Sequence, residues 1–187
     1  MAAGFDGVQL HASNSYLIDQ FLRDSTNRRT DRYGGSIDNR LRLLLEVTQA
    51  LADAAGADRT AVRLFPNDDA QGCVDSDPEQ LFVAATKALS DMKIAFLELR
   101  AARPESAFRP ASRQLVPAVR KASKGPLVLN QDYGLDDAGE ALANGVADAI
   151  SYGRPFIANP DLPKRLANGA ALNSANASTF YTPGPVG

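Results

Sequence analysis

Five short apolar runs, each of strand length and each followed by a stretch of helical periodicity, constrain this chain more than any other feature: Gly7–Leu10, Thr60–Leu64, Ile94–Leu99, Pro126–Leu129 and Ala149–Tyr152. Alternation of this kind implies parallel strands joined by crossover helices, so the class is α/β. The helix after the first run is the plainest. Ser36 can cap it, Leu43, Leu44, Val47, Ala50, Leu51 and Ala54 recur at helical spacing, and Gly56 stops it. The next opens on Asp77 as cap with Pro78 at the first helical position, and turns Leu81, Phe82, Ala85, Leu89 and Met92 to a core. Two further helices are expected: one around Arg113–Ala122, where Pro117 is awkward, and one over Asp136–Asn144, ended by Gly145. No linker separates the five units, so residues 1–187 read as one domain.

Composition narrows the chemistry. A chain of 187 residues with 44% hydrophobic content buries roughly 70% of the surface its unfolded form exposes, enough for an ordinary core without staples. Cys73 is the only cysteine and His11 the only histidine, which excludes an internal disulfide and a zinc site built from cysteines. A net charge of −2 with both signs interspersed gives no electrostatic footprint for nucleic acid or an anionic membrane. There is no apolar run of ~20 residues and no signal-peptide pattern at the N-terminus, so a cytoplasmic location is expected.

Five strand–helix units can form an open doubly wound sheet or part of an eight-unit barrel, and periodicity alone leaves both open. The strand ends separate them. A dinucleotide-binding fold needs a glycine-rich turn after its first strand, and here that turn is His11-Ala12-Ser13-Asn14-Ser15. Barrels instead gather functional groups where strands end and often hold phosphate in the loops after the last two strands. Polar groups stand in that pattern here: His11 and Asn14, Arg63, the run Asn130 to Tyr133, and Gly153-Arg154.

His11, Asn14 and Tyr16 are close enough in sequence to converge. Imidazole and carboxamide can both donate to one oxygen and a phenol can give a proton, which suits polarising a carbonyl or nitro group while protonating carbon. A strand-end histidine and a local Asx turn explain the same residues without chemistry. Arg63, between apolar neighbours, needs a partner, either a structural carboxylate or an anionic or electron-rich ligand. Gly153-Arg154 before Pro155 could offer backbone N–H groups and a guanidinium to phosphate, with Gln131 and Asp132 supplying amides from the neighbouring loop. Gly34-Gly35 reads as a turn requiring positive φ, Cys73 as a bystander in a polar loop, and Phe180-Tyr181 as aromatics that fold back.

The stretch from Ala3 through His11, Asn14 and Tyr16 to Leu22, then Arg29-Thr30-Asp31-Arg32-Tyr33-Gly34-Gly35-Ser36-Ile37-Asp38-Asn39-Arg40, closely resembles the Old Yellow Enzyme family of FMN-dependent ene reductases. Gly153-Arg154-Pro155-Phe156-Ile157-Ala158-Asn159-Pro160-Asp161-Leu162 and Thr179-Phe180-Tyr181 are similar to that family's ending. The resemblance implies a (β/α)8 barrel, FMN as cofactor and NADPH or NADH as reductant. It implies that His11 and Asn14 bind the oxygen of an enone or nitroalkene, that Tyr16 is the proton donor, and that Arg63 lies beside the flavin pyrimidine edge. It further implies that Gln131, Asp132, Gly153 and Arg154 meet the FMN phosphate and that Tyr181 borders the substrate pocket. Flavin N5 would deliver hydride to the β-carbon while Tyr16 protonates the α-carbon.

The sequence also departs from the family. Ser15 stands where glycine is usual, Gln9 where glutamate is usual, Phe65 where a small residue is usual, and Gln131 replaces a frequent glycine. Measured against the family, the chain corresponds to strands four to eight of a partial barrel, and strands one to three, which carry flavin-ring contacts, have no counterpart. Three readings follow: an ene reductase; a catalytically incompetent fragment or split-barrel subunit that self-associates or seeks a complementary N-terminal half-barrel; and a flavin-free barrel enzyme for a phosphorylated small molecule.

Overall fold

The computed structural model describes residues 2–66, 71–101 and 115–182. Its strands are β1 (Val8–Ala12), β2 (Thr60–Leu64), β3 (Phe96–Arg100), β4 (Leu127–Asn130) and β5 (Ala149–Ser151). Its α-helices are α1 (Leu17–Leu22), α2 (Ile37–Ala55), α3 (Pro78–Asp91), α4 (Val116–Ala122), α5 (Leu135–Ala143), α6 (Arg154–Ala158) and α7 (Leu162–Ala167). The sheet runs β1-β2-β3-β4-β5 in sequence order, and β1 through β4 pair parallel. Sequential order decides between the two open architectures. A doubly wound sheet reverses direction at a switch point, whereas a barrel adds each strand to the same edge as the last. These units are part of a (β/α)8 barrel.

Capping follows the sequence closely. The Ser36 side chain accepts from Asn39 N–H at 3.3 Å, and Gly56, at φ 99°, closes α2 by donating to Ala52. Asp77 accepts from Gln80 N–H at 3.1 Å ahead of Pro78. Pro117 is no obstacle, because α4 begins at Val116 and the proline occupies its first turn, where no intrahelical N–H bond is lost. Residues 113 and 114 lie outside the described residues. The short α1 sets Leu17, Ile18, Phe21 and Leu22 at helical spacing, and Ile18 and Leu22 enter the core. It is also held by Asp19, which is buried, accepts from Ser15 N–H at 2.9 Å and pairs with buried Arg23 at 2.8 Å.

The glycine pair plays two separate roles. Gly35 has φ +83°, as a left-handed turn requires. Gly34 does not take positive φ; a Cβ there would stand 2.1 Å from the Arg29 carbonyl oxygen, so close backbone approach is the reason for glycine. Cys73 is buried, its thiol 3.6 Å from the Thr26 hydroxyl, while Gln71, Gly72 and Val74 beside it are exposed.

Period-two alternation divides the sheet into two unlike faces. Leu10 and Ala12, Val62 and Leu64, Leu97 and Leu99, Leu127 and Leu129 join Leu41, Leu44, Leu81, Phe82, Leu89 and Val119 of the helices in one core. The opposite face carries Gln9 and His11, Arg63, Glu98 and Arg100, and Asn130. The chain forms two compact units, Met1–Ile150 and Ser151–Gly187. Within the second, Asn159 is fully buried, donates to the carbonyls of Pro155 and Asn173 and accepts from Asn173 N–H, tying the turn between α6 and α7 to the segment that follows.

Candidate active site

The polar face of the sheet is organised by β-register. His11 is level with Arg63, Arg63 with Glu98, and Arg100 with Asn130. Glu98, almost wholly buried, accepts from Gln9 Nε2 at 2.8 Å and from Arg63 Nη1 at 2.5 Å, and Arg63 Nη2 donates to Asn130 Oδ1 at 2.7 Å. The partner that Arg63 required is thus a carboxylate one strand away. Two charges at low exposure, tied by charge-assisted bonds, hold each other in place.

At the C-terminal end of β1 the chain turns sharply. Asn14 and Ser15 have φ of 58° and 62°, the left-handed region in which asparagine is tolerated and serine is uncommon. The Asp19 carboxylate on Ser15 N–H and the Gln20 side chain on the Ser15 carbonyl, at 2.6 Å, hold the serine where glycine would sit without strain. The turn brings Tyr16 back beside His11, with ring centroids 5.3 Å apart and planes tilted by 58°. Tyr16 is 61% exposed, so its hydroxyl is reachable. Partial loss of hydration holds the His11 pKa below its ordinary 6.5, Arg63 pushes it further down, Asp19 and Glu98 oppose this, and Arg100 adds to the lowering. The imidazole is therefore neutral near pH 7, with one nitrogen a donor.

The remaining sequence candidates separate by unit. Gln131 and Asp132 directly follow β4 with φ of 90° and 60°, and Gln131 Oε1 is buried with no partner. Successive residues bent this way turn backbone N–H groups into a shallow anion-binding concavity. Gly153, Arg154 and Tyr181 belong to the second unit. A Cβ on Gly153 would meet nothing within 4 Å. Tyr181 is 97% exposed, its ring edge-on to Phe180 with centroids 6.5 Å apart, so the expected fold-back does not bury it.

Sequence reasoning missed Glu98 and Arg100. Both stand out in retrospect, because Phe96-Leu97-Glu98-Leu99-Arg100 alternates in period two and sets both charges on the face that already carries His11 and Arg63.

Comparison with known proteins supplies the lineage. The family model described as "NADH:flavin oxidoreductase / NADH oxidase family" matches residues 1–173. The protein named 12-oxophytodienoate reductase 2 from Arabidopsis thaliana is 43% identical over 188 residues, covering 100% of this chain and 50% of that one. The old yellow enzyme homologue from Zymomonas mobilis superposes with a TM-score of 0.95 at 55% identity, over 98% of this chain and 52% of that chain. Morphinone reductase does so with a TM-score of 0.92 at 40% identity, over 98% and 49%. A morphinone reductase structure in complex with tetrahydroNAD gives 0.89 at 42% identity, over 99% and 49%. The chain thus spans about half the length of the curated relatives it matches. With the family model matching residues 1–173 and these relatives 40% or more identical to it, the chain belongs to the NADH:flavin oxidoreductase / NADH oxidase family, of old yellow enzyme type.

Proposed function

We propose that this chain carries the substrate-activating side of an FMN-dependent ene reductase that reduces activated C=C bonds with NADPH or NADH. The observation that carries the reading is the trio at the end of β1, in which the paired rings of His11 and Tyr16 flank the Asn14 turn on the face shared with Arg63. Similarity to reductases, one of them solved with tetrahydroNAD, supports it.

The residues present fit FMN. The orphaned Gln131 Oε1 is an acceptor that a ribityl hydroxyl would satisfy, the bend at Gln131 and Asp132 offers backbone N–H groups to an anion, and Arg63, held by Glu98, stands on the polar sheet face. Arg63 would hold the flavin edge, and the backbone of Gln131 and Asp132 the phosphate. FMN, when bound, would supply the hydride chemistry, with the nicotinamide as the source of its electrons.

The chain's own side chains do the rest. A neutral His11 N–H and the Asn14 carboxamide N–H donate to the carbonyl or nitro oxygen of the substrate, withdrawing electron density from the alkene as negative charge develops on that oxygen. Tyr16 gives its hydroxyl proton to the α-carbon.

The test is direct. FMN added to the protein should be retained, and NADPH should be consumed on addition of 2-cyclohexenone. Replacing Tyr16 by phenylalanine should slow alkene reduction by roughly 10²-fold or more while sparing flavin reduction; equal losses in both half-reactions remove Tyr16 from the donor role. A second reading, favoured by the half-length coverage of the relatives, is that turnover needs a complementary half-barrel. It predicts no retained FMN until a protein supplying the remaining strands is added.

A further inference from the structure

Asn14 can serve a substrate oxygen only if its carboxamide faces the right way, and one residue outside the trio decides that. Arg100 Nη1 donates to Asn14 Oδ1 at 2.8 Å, bridging the end of β3 to the turn after β1. A carboxamide has one acceptor end and one donor end, and a guanidinium has donors only, so the pair can form in one sense alone. With Oδ1 engaged, Nδ2 is turned away from Arg100 and has no partner among the described residues. Arg100 is itself fixed. Its guanidinium lies 4.3 Å from the centroid of the Phe65 ring, and Phe65 is buried with its carbonyl bonded by the buried Arg23. This gives Phe65, a departure from the family's usual small residue, a definite role as the platform under Arg100.

We propose that Arg100 is a positioning residue that locks the Asn14 carboxamide with Nδ2 toward the substrate, making the site selective for ligands that present an acceptor oxygen. The proposal rests on the reading of Asn14 as a substrate-binding residue. The torsion that carries the carboxamide is soft and roughly two-fold. Without Arg100 the group can turn over and set Oδ1 against the substrate oxygen, acceptor against acceptor. No change at the reacting atoms is needed for activity to fall.

A double-mutant cycle with FMN and 2-cyclohexenone tests this, using Arg100→Leu, Asn14→Ala and the double variant. Each single change should lower kcat/KM roughly tenfold, the scale of one hydrogen bond of this kind, and the double variant should be no worse than Asn14→Ala. Losses that multiply in the double variant overturn the proposal, because Arg100 would then act by another route. Arg100→Lys, which keeps a charged donor, should recover most of the loss; it also stands in if Arg100→Leu fails to fold. The readout free of turnover is the side-chain amide pair of Asn14 in the 15N spectrum of the intact protein. It should move or broaden in Arg100→Leu and stay near its original position in Arg100→Lys, and an unmoved pair in Arg100→Leu overturns the proposal. If Asn14→Ala leaves turnover intact, the reading of the site fails, and the amide spectrum still decides whether Arg100 sets the carboxamide.

Discussion

His11 stands level with Arg63 on the adjacent strand, and partial dehydration first, then the Arg63 and Arg100 cations, disfavour a positive charge on the ring. Because it is the only histidine in the chain, the C2 proton resonance of untagged protein reports its titration without ambiguity. The midpoint should fall below 6.5, and Arg63→Met should bring it back up; a native midpoint above 6.5 contradicts the charge arrangement described. The sign for stability follows from the same lowering. The unfolded chain takes up the proton first, so this contribution is complete above about pH 6.5 and is lost as pH falls from there through the lower native value. Asp19 is a buried carboxylate set against a buried guanidinium. Asp19→Ala takes the carboxylate from Arg23 and the acceptor from Ser15 N–H, and should lower unfolding free energy by about 3–5 kcal/mol in urea titration.

Among the elements, those long enough to repeat an apolar pattern were legible in the sequence and those too short to do so were not. The strand Thr60–Leu64 and the helix from Ser36 to Gly56 match the structure, because periodic burial and end caps are written locally. Other strands shift by a residue or two, as β1 does by running on through His11 to Ala12. The helix α1 is hard to mark because its apolar residues Leu17, Ile18, Phe21 and Leu22 cover under two turns, a run too short to set a period, and the Asp19–Arg23 pair that fixes its end is not a local pattern. His11, Asn14, Tyr16 and Arg63 could be marked as strand-end polar groups, but Glu98 and Arg100 act through partners on other strands, and no local pattern names those partners. The Gly34 position is similar, since its constraint comes from a carbonyl across the turn. Gly34→Ala should destabilise by about 1–3 kcal/mol in chemical denaturation, and a neutral result removes close approach as the reason for glycine there.

Over the whole molecule, the two units differ in how much they bury. The first holds the leucine-rich core beneath the sheet, whereas in the second, Asn159 and Leu162 are the buried residues among those described. Native-state hydrogen exchange should therefore be slowest in β2 and β3, which have partners on both sides, and much faster across residues 163–182. Equal protection in both regions contradicts that ranking. No helix among the described residues is long and apolar enough to cross a membrane.

The bonded chain Gln9–Glu98–Arg63–Asn130 takes one side chain from each of four successive strands. Neither one β/α unit nor any adjacent pair contains it, so it cannot travel as a module. A recombinant that swaps in a unit with a different residue at one of these four positions inherits a mismatched tile in a mosaic, even when the new strand has the right length and apolar side. Exchange of parts within this lineage is thus restricted by the open face of the sheet, where four strands must agree at once, more tightly than by the interchangeable leucines beneath it.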